Sequence, residues 1–181
     1  MPNKIMLTTI AIIITGVMLL GNRKVRVLQV LMKQIHVFRN AKKNKISVWD
    51  IICFVVFPII LAAIISLGFG CVIDKNLAGV LTTVFAFVFT VLFGFAAILV
   101  GKMDSSNAIE RKVVGETFVS IMTSNILSLL SAVLSITIIM EDGAANKVIS
   151  MCIYSLSFMI IMLLLMISKR TFVIYCNNQK D

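Results

Sequence analysis

The chain has 181 residues, 60% of them hydrophobic, and 17 Lys and Arg against 8 Asp and Glu give it a formal net charge of +9. A mean hydropathy of +1.05 excludes an ordinary soluble domain and a disordered chain, because neither can carry that much apolar surface in water. With only 14% charged residues, the composition is that of an all-α integral membrane protein, since in hydrocarbon a helix satisfies its own backbone hydrogen bonds.

Five apolar blocks, 5–21, 51–73, 77–101, 118–140 and 148–168, contain no Asp, Glu, Lys, Arg or His. A bilayer core needs about 20 such residues per helix, with about 17 as the lower limit, so four blocks span comfortably and the first is short. Residues 1–21 are expected to form an N-terminal transmembrane anchor. A secretory signal peptide is the alternative, but no small-x-small cleavage pattern follows Leu20, and the charge comes after the block rather than before it.

The segment 22–50 is strongly basic, with Arg23, Lys24, Arg26, Lys33, Arg39, Lys42, Lys43 and Lys45. Placing it in the cytoplasm collects 14 of the 17 cations on that side and leaves only Lys4, Lys75 and Lys147 outside. The positive-inside rule then predicts five spans with the N-terminus out and the C-terminus in. Within the segment Val25, Leu28, Met32, Ile35 and Phe38 recur at helical spacing, which predicts a basic amphipathic helix lying at the interface. Val27, Val30 and Val37 interrupt its polar side. The cations are expected to bind the anionic inner leaflet, at about 1 kcal/mol each, with a cytosolic protein as a further partner. Nucleic acid is disfavoured because Phe38 is the lone aromatic at hand. Trp49, beside Asp50, suits the headgroup level.

The four later blocks form a predicted transmembrane bundle over 51–168. In the second, Pro58 predicts a kink, and Ala62, Ser66 and Gly70 make a small-xxx-small pattern for close packing. The third carries Gly79, Thr83, Ala86, Thr90, Gly94 and Ala97 at spacings of three and four, expected to pack against other helices, while Phe85, Phe87, Phe89, Phe93 and Phe95 suit lipid or interhelical grooves. Between the third and fourth blocks, Asn107 and Glu110 suggest a capping box, with Glu116 near Arg111 and Lys112 in a solvated ion-pair cluster.

The fourth block holds the strongest functional hint. Ser120, Ser124, Ser128, Ser131 and Ser135 recur at four, four, three and four, so all five hydroxyls share one helical face, with Asn125 beside it. Two uses compete. The row can pack helices together, or several copies can turn it toward a shared axis and line a hydrated path. The fifth block is followed by a predicted cytosolic tail, 169–181.

No reaction is indicated. His36 has no metalloprotease or triad context, and Cys53, Cys71, Cys152 and Cys176 have no metal or redox spacing, so no enzyme activity, cofactor or metal is expected. Cys71 and Cys152 both fall near the outer face, where a disulfide is conceivable in an oxidising compartment. Spans without a carboxylate, His or Lys argue against a proton-coupled transporter. The expected role is an oligomeric membrane effector or pore-forming subunit of a bacterial inner membrane, working with a cytosolic partner. Alternatives are an anchoring or immunity subunit that restrains a cytosolic protein without conducting, and a small transporter or export component. The plan of an anchor, a basic surface helix and two hairpins resembles small membrane subunits of bacterial toxin, immunity and phage-defence operons, a likeness of architecture that rests on no diagnostic residue.

Overall fold

The computed structural model describes residues 27–38, 47–101, 108–140 and 147–178. Four helices in it are long and apolar enough to cross a membrane: Val48–Gly68, Lys75–Val100, Glu110–Met140 and Lys147–Val173. The predicted anchor at 5–21 lies outside the described residues, as does the proposed cap residue Asn107. Among the described residues the structure is almost entirely helical, with no strand.

Helix α1, Val27–Val37, has three faces rather than the predicted two. Val27, Gln34 and Phe38 are buried, with Val30, Leu31 and Val37 half-buried beside them. Leu28, Met32 and Ile35 are 52%, 62% and 46% exposed, while Gln29, Lys33 and His36 occupy the third side in solvent. At 3.6 residues per turn these sets sit roughly 120° apart. The valines that interrupt the polar side therefore belong to a protein-facing stripe. The helix packs against α4 (Ala108–Met140), with Leu28, Met32 and Ile35 exposed away from that contact. The amphipathic helix expected from the sequence thus carries a third, protein-facing stripe.

Helix α2 (Val48–Gly68) alternates α-helical turns at Val48–Ile51 and Phe57–Ala63 with π-helical turns at Ile52–Val56 and Ile64–Gly68. Ser47 caps its start, its Oγ accepting from the Asp50 N–H at 3.4 Å. Proline has no N–H and its ring crowds the carbonyl four residues earlier. The widened turn before Pro58 meets that constraint, and the Phe57 N–H donates to the Ile52 carbonyl, five residues back. The helix ends well before residue 73. The Phe69 N–H reaches the Ile64 carbonyl at 3.0 Å and the Cys71 N–H the Ile65 carbonyl at 3.1 Å, with Gly70 at φ +67° completing the reversal.

Asp74 then caps α3, Lys75–Val100, accepting at Oδ1 from the Leu77 N–H at 2.8 Å. Helix α4, Ala108–Met140, has 33 residues, and α5, Lys147–Asn178, has 32. Both exceed the predicted blocks. No Gly or Pro interrupts 169–178, so the helix runs on past the apolar boundary into the stretch read as a tail.

The most buried span is α4, and its most extensive interface is with α3. One core cluster joins Phe85 of α3, Leu127 and Ile138 of α4, and Ile153, Ile160 and Leu163 of α5. A second, toward the C-terminal end of α3, joins Leu92, Ala96 and Leu99 to Val114, Ile121 and Ile167. Large apolar side chains are meanwhile exposed along α2, α3 and α5, among them Phe57, Leu67, Phe87, Phe93, Ile98 and Leu165. Such a surface suits acyl chains and would aggregate in water.

Candidate functional site

The serine face of α4 lies in the interior of the single chain. Ser120, Ser124, Ser128, Ser131 and Ser135 are all fully buried, and Asn125 is 5% exposed. Three of the hydroxyls donate back along the helix: Ser120 to the Glu116 carbonyl at 3.0 Å, Ser131 to Leu127 at 2.8 Å and Ser135 to Ser131 at 2.9 Å. In the middle of the row this pattern lapses. Ser124 Oγ, Ser128 Oγ and Asn125 Oδ1 are buried without a hydrogen-bond partner in the protein.

A fourth polar group shares this condition. The Gln34 carboxamide of α1 is buried with neither Nε2 nor Oε1 paired, and it lines an apolar cavity together with Thr123 and Leu127 of α4. Sequence reasoning passed over Gln34, although Val27, Val30, Gln34 and Val37 recur at threes and fours, a stripe that places it on a packed face. Unpaired amides and hydroxyls in such surroundings cost free energy, about 1–3 kcal/mol for each group.

The small-residue row of α3 does not meet the serine row. Thr83, Ala86, Thr90, Gly94 and Ala97 are exposed and Gly79 is half-buried. A Cβ added at Gly79 or Gly94 would find nothing within 4 Å. The buried stripe of α3 is instead Ala78, Phe85, Leu92, Ala96 and Leu99, roughly 140° around the helix. Volume explains the choice. A face of serines leaves room for large opposing side chains, and interiors fill by setting large against small. Of the phenylalanines expected to face lipid or interhelical grooves, Phe85 is core, whereas Phe87 and Phe93 are 68% and 60% exposed.

On α2, Ala62 and Ser66 are fully buried as a packing pair, and Ser66 Oγ donates to the Lys147 carbonyl at 2.8 Å. Gly70 does not extend that pair, because it lies beyond the helix end with positive φ, exposed, and makes the turn. One residue set missed in the sequence works beside it: the Ile73 N–H donates to Ser150 Oγ at 3.1 Å, fastening the connection between α2 and α3 to α5. Cys71 and Cys152 are both free thiols.

Among the predicted lipid-facing cations, Lys33 is exposed on α1. Arg23, Lys24, Arg26, Arg39, Lys42, Lys43 and Lys45 lie outside the described residues. Glu116 pairs across the bundle, its Oε2 3.3 Å from Arg170 Nη1, rather than with Arg111 and Lys112 as expected. The continuation of α5 past residue 168 is what carries Arg170 to it. Replacing Glu116 with Gln would leave the guanidinium without its counter-charge. Because Glu116 keeps 34% of its side chain exposed, the expected loss is at the lower end of the buried range, about 1 kcal/mol, read as a fall in the thermal midpoint of the detergent-solubilised protein.

Among the described residues, no three His, Cys, Asp or Glu side chains converge in a way that would hold a metal ion. No family model, curated protein or solved structure matches the chain.

Proposed function

We propose that this chain is a non-enzymatic five-span protein of a bacterial inner membrane, N-terminus out and C-terminus in, which self-associates and acts on the membrane as an effector or pore-forming subunit. The observation that carries the reading is the outward row on α3, where Thr83, Ala86, Thr90, Gly94 and Ala97 face away from the chain's own core. Between membrane helices, association depends on close backbone approach, which such a row allows and Leu or Phe at the same positions would prevent. Neighbouring copies meet through α3, and the serine row serves packing within each copy. The basic segment 22–50 holds the inner leaflet and offers a surface to a cytosolic protein.

A specific observation favours a second reading, an anchoring or immunity subunit that conducts nothing. The only hydroxyls in the outward row, Thr83 and Thr90, already donate to the Gly79 and Ala86 carbonyls, at 3.1 and 2.9 Å. They offer little to a passing ion beyond a lone pair.

The two readings separate in one experiment. Ala86→Cys is expected to crosslink between copies on mild oxidation in native membranes, and expression to discharge a membrane-potential dye. Crosslinking without discharge, together with a co-purifying soluble protein, would select the anchoring role. Absence of any crosslink along the row would remove self-association from both.

A further inference from the structure

At the inner end of the bundle an open cavity of about 520 Å³ is lined by Asp50, Glu116, Lys169 and Arg170. Two carboxylates and two cations thus face one space. Arg170 is only 20% exposed, and its Nη1 is shielded from solvent without a hydrogen-bond partner, lying no nearer than 3.3 Å to Glu116. A guanidinium presents five donors in a planar fork, so one carboxylate oxygen at that distance leaves it under-satisfied. Nη1 itself is enclosed, and phosphate oxygens can accept from the guanidinium donors that face the cavity.

The apolar walls continue from this cavity into the membrane. Met162 lines it and also lines a second space of about 370 Å³ between α2 and α5, a groove bordered by Phe57, Pro58, Ile64 and Phe158. That groove holds no charged side chain and opens outward, since Phe57, Ile64 and Ile161 are exposed. It runs beside the π-helical turn that accommodates Pro58. From Arg170 to Phe158 along α5 is about 18 Å at 1.5 Å per residue, a length comparable with an acyl chain that starts at headgroup depth.

We propose that this charged cavity and the groove below it form one binding site for a phospholipid bearing a primary ammonium, a phosphatidylethanolamine. The phosphate sits on Arg170 and Lys169, the ammonium donates to Asp50, and one acyl chain occupies the α2–α5 groove. Charge complementarity selects this headgroup. Glu116 is engaged by Arg170, which leaves one carboxylate facing the cavity for a cationic donor. A choline headgroup has no N–H to give it, and a glycerol headgroup brings net negative charge without a cation.

The test uses the purified full-length chain, equilibrated with an equimolar mixture of phosphatidylethanolamine, phosphatidylglycerol and phosphatidylcholine of identical chains and read by native mass spectrometry. Phosphatidylethanolamine is expected to be enriched about tenfold among retained lipids. Asp50→Asn should abolish that preference while retaining phosphatidylglycerol, and Ile161→Trp, filling the groove from its exposed wall, should lower retention of all three. Glycerophosphoethanolamine, the headgroup without its chains, should fail to displace the lipid at millimolar concentration. Equal retention of the three lipids, an unchanged preference in Asp50→Asn, or displacement by the chain-free headgroup would each overturn the proposal. Arg170→Gln is the obvious further variant, but its ion pair makes misfolding an alternative cause, so the substitutions at Asp50 and Ile161 are the decisive ones.

Discussion

Ser124→Leu and Ser128→Leu are each expected to destabilise the bundle by about 1–3 kcal/mol, while Ser124→Ala and Ser128→Ala leave it unchanged or raise its stability by up to about 1 kcal/mol. The opposite signs come from separating volume from polarity at the same sites. Both residues are fully buried on α4, the helix most enclosed by its neighbours, so a leucine has no space to enter without displacing α3. Both hydroxyls also lack a partner, so their removal sacrifices no hydrogen bond and relieves a desolvation penalty. Ser131 and Ser135 differ, since each hydroxyl is bonded to a backbone carbonyl, and alanine there should be close to neutral. Thermal unfolding in detergent, monitored by far-UV circular dichroism, reads all four. Because 124 and 128 are one turn apart, the double leucine variant is expected to depart from additivity. If both leucine variants kept the wild-type midpoint, the row would have to face outward, and an axis shared between copies would regain its physical basis.

The four spans were legible because the signal is thermodynamic and local: uncharged apolar runs of sufficient length have no alternative in hydrocarbon but helix. Their ends were less so. Hydropathy marks where lipid stops, whereas a helix stops where the backbone is broken, and nothing in 169–178 breaks α5. That extension is what brings Arg170 to Glu116.

Periodicity has a related limit. The serine row of α4 and the small-residue row of α3 carry the same three-and-four spacing, yet one is fully enclosed and the other faces outward. Spacing assigns residues to a common face but says nothing about which neighbour that face meets. The decision is made by volume matching among helices distant in sequence, as when Phe85 and Leu92 take the inward stripe of α3. On α1 the discordant valines held the missing information, because a helix with one stripe against protein and another toward lipid looks imperfectly amphipathic when two faces are assumed.

The double variant Gly79→Leu with Gly94→Leu is expected to abolish self-association while leaving the fold of each copy intact. A Cβ at either position meets nothing within 4 Å, so leucine is accommodated on the monomer, and its better helix propensity favours α3 by a few tenths of a kcal/mol or more. Between copies the same side chains would hold the backbones apart and cancel the close approach on which small-residue interfaces depend. The neighbouring Phe89 and Phe93, stacked with ring centroids 6.2 Å apart, border the row and would no longer lie against a partner helix. A loss of at least about 100-fold in association, close to 3 kcal/mol, is the expected size, measured by dilution of fluorescently labelled protein in liposomes. Val91→Leu provides the control, since Val91 is 52% exposed on α3 but lies about 100° from the row, and it should associate as wild type does. An oligomer that survived both glycine substitutions would assign its interface to another face of the chain, and the outward row on α3 would then face only lipid.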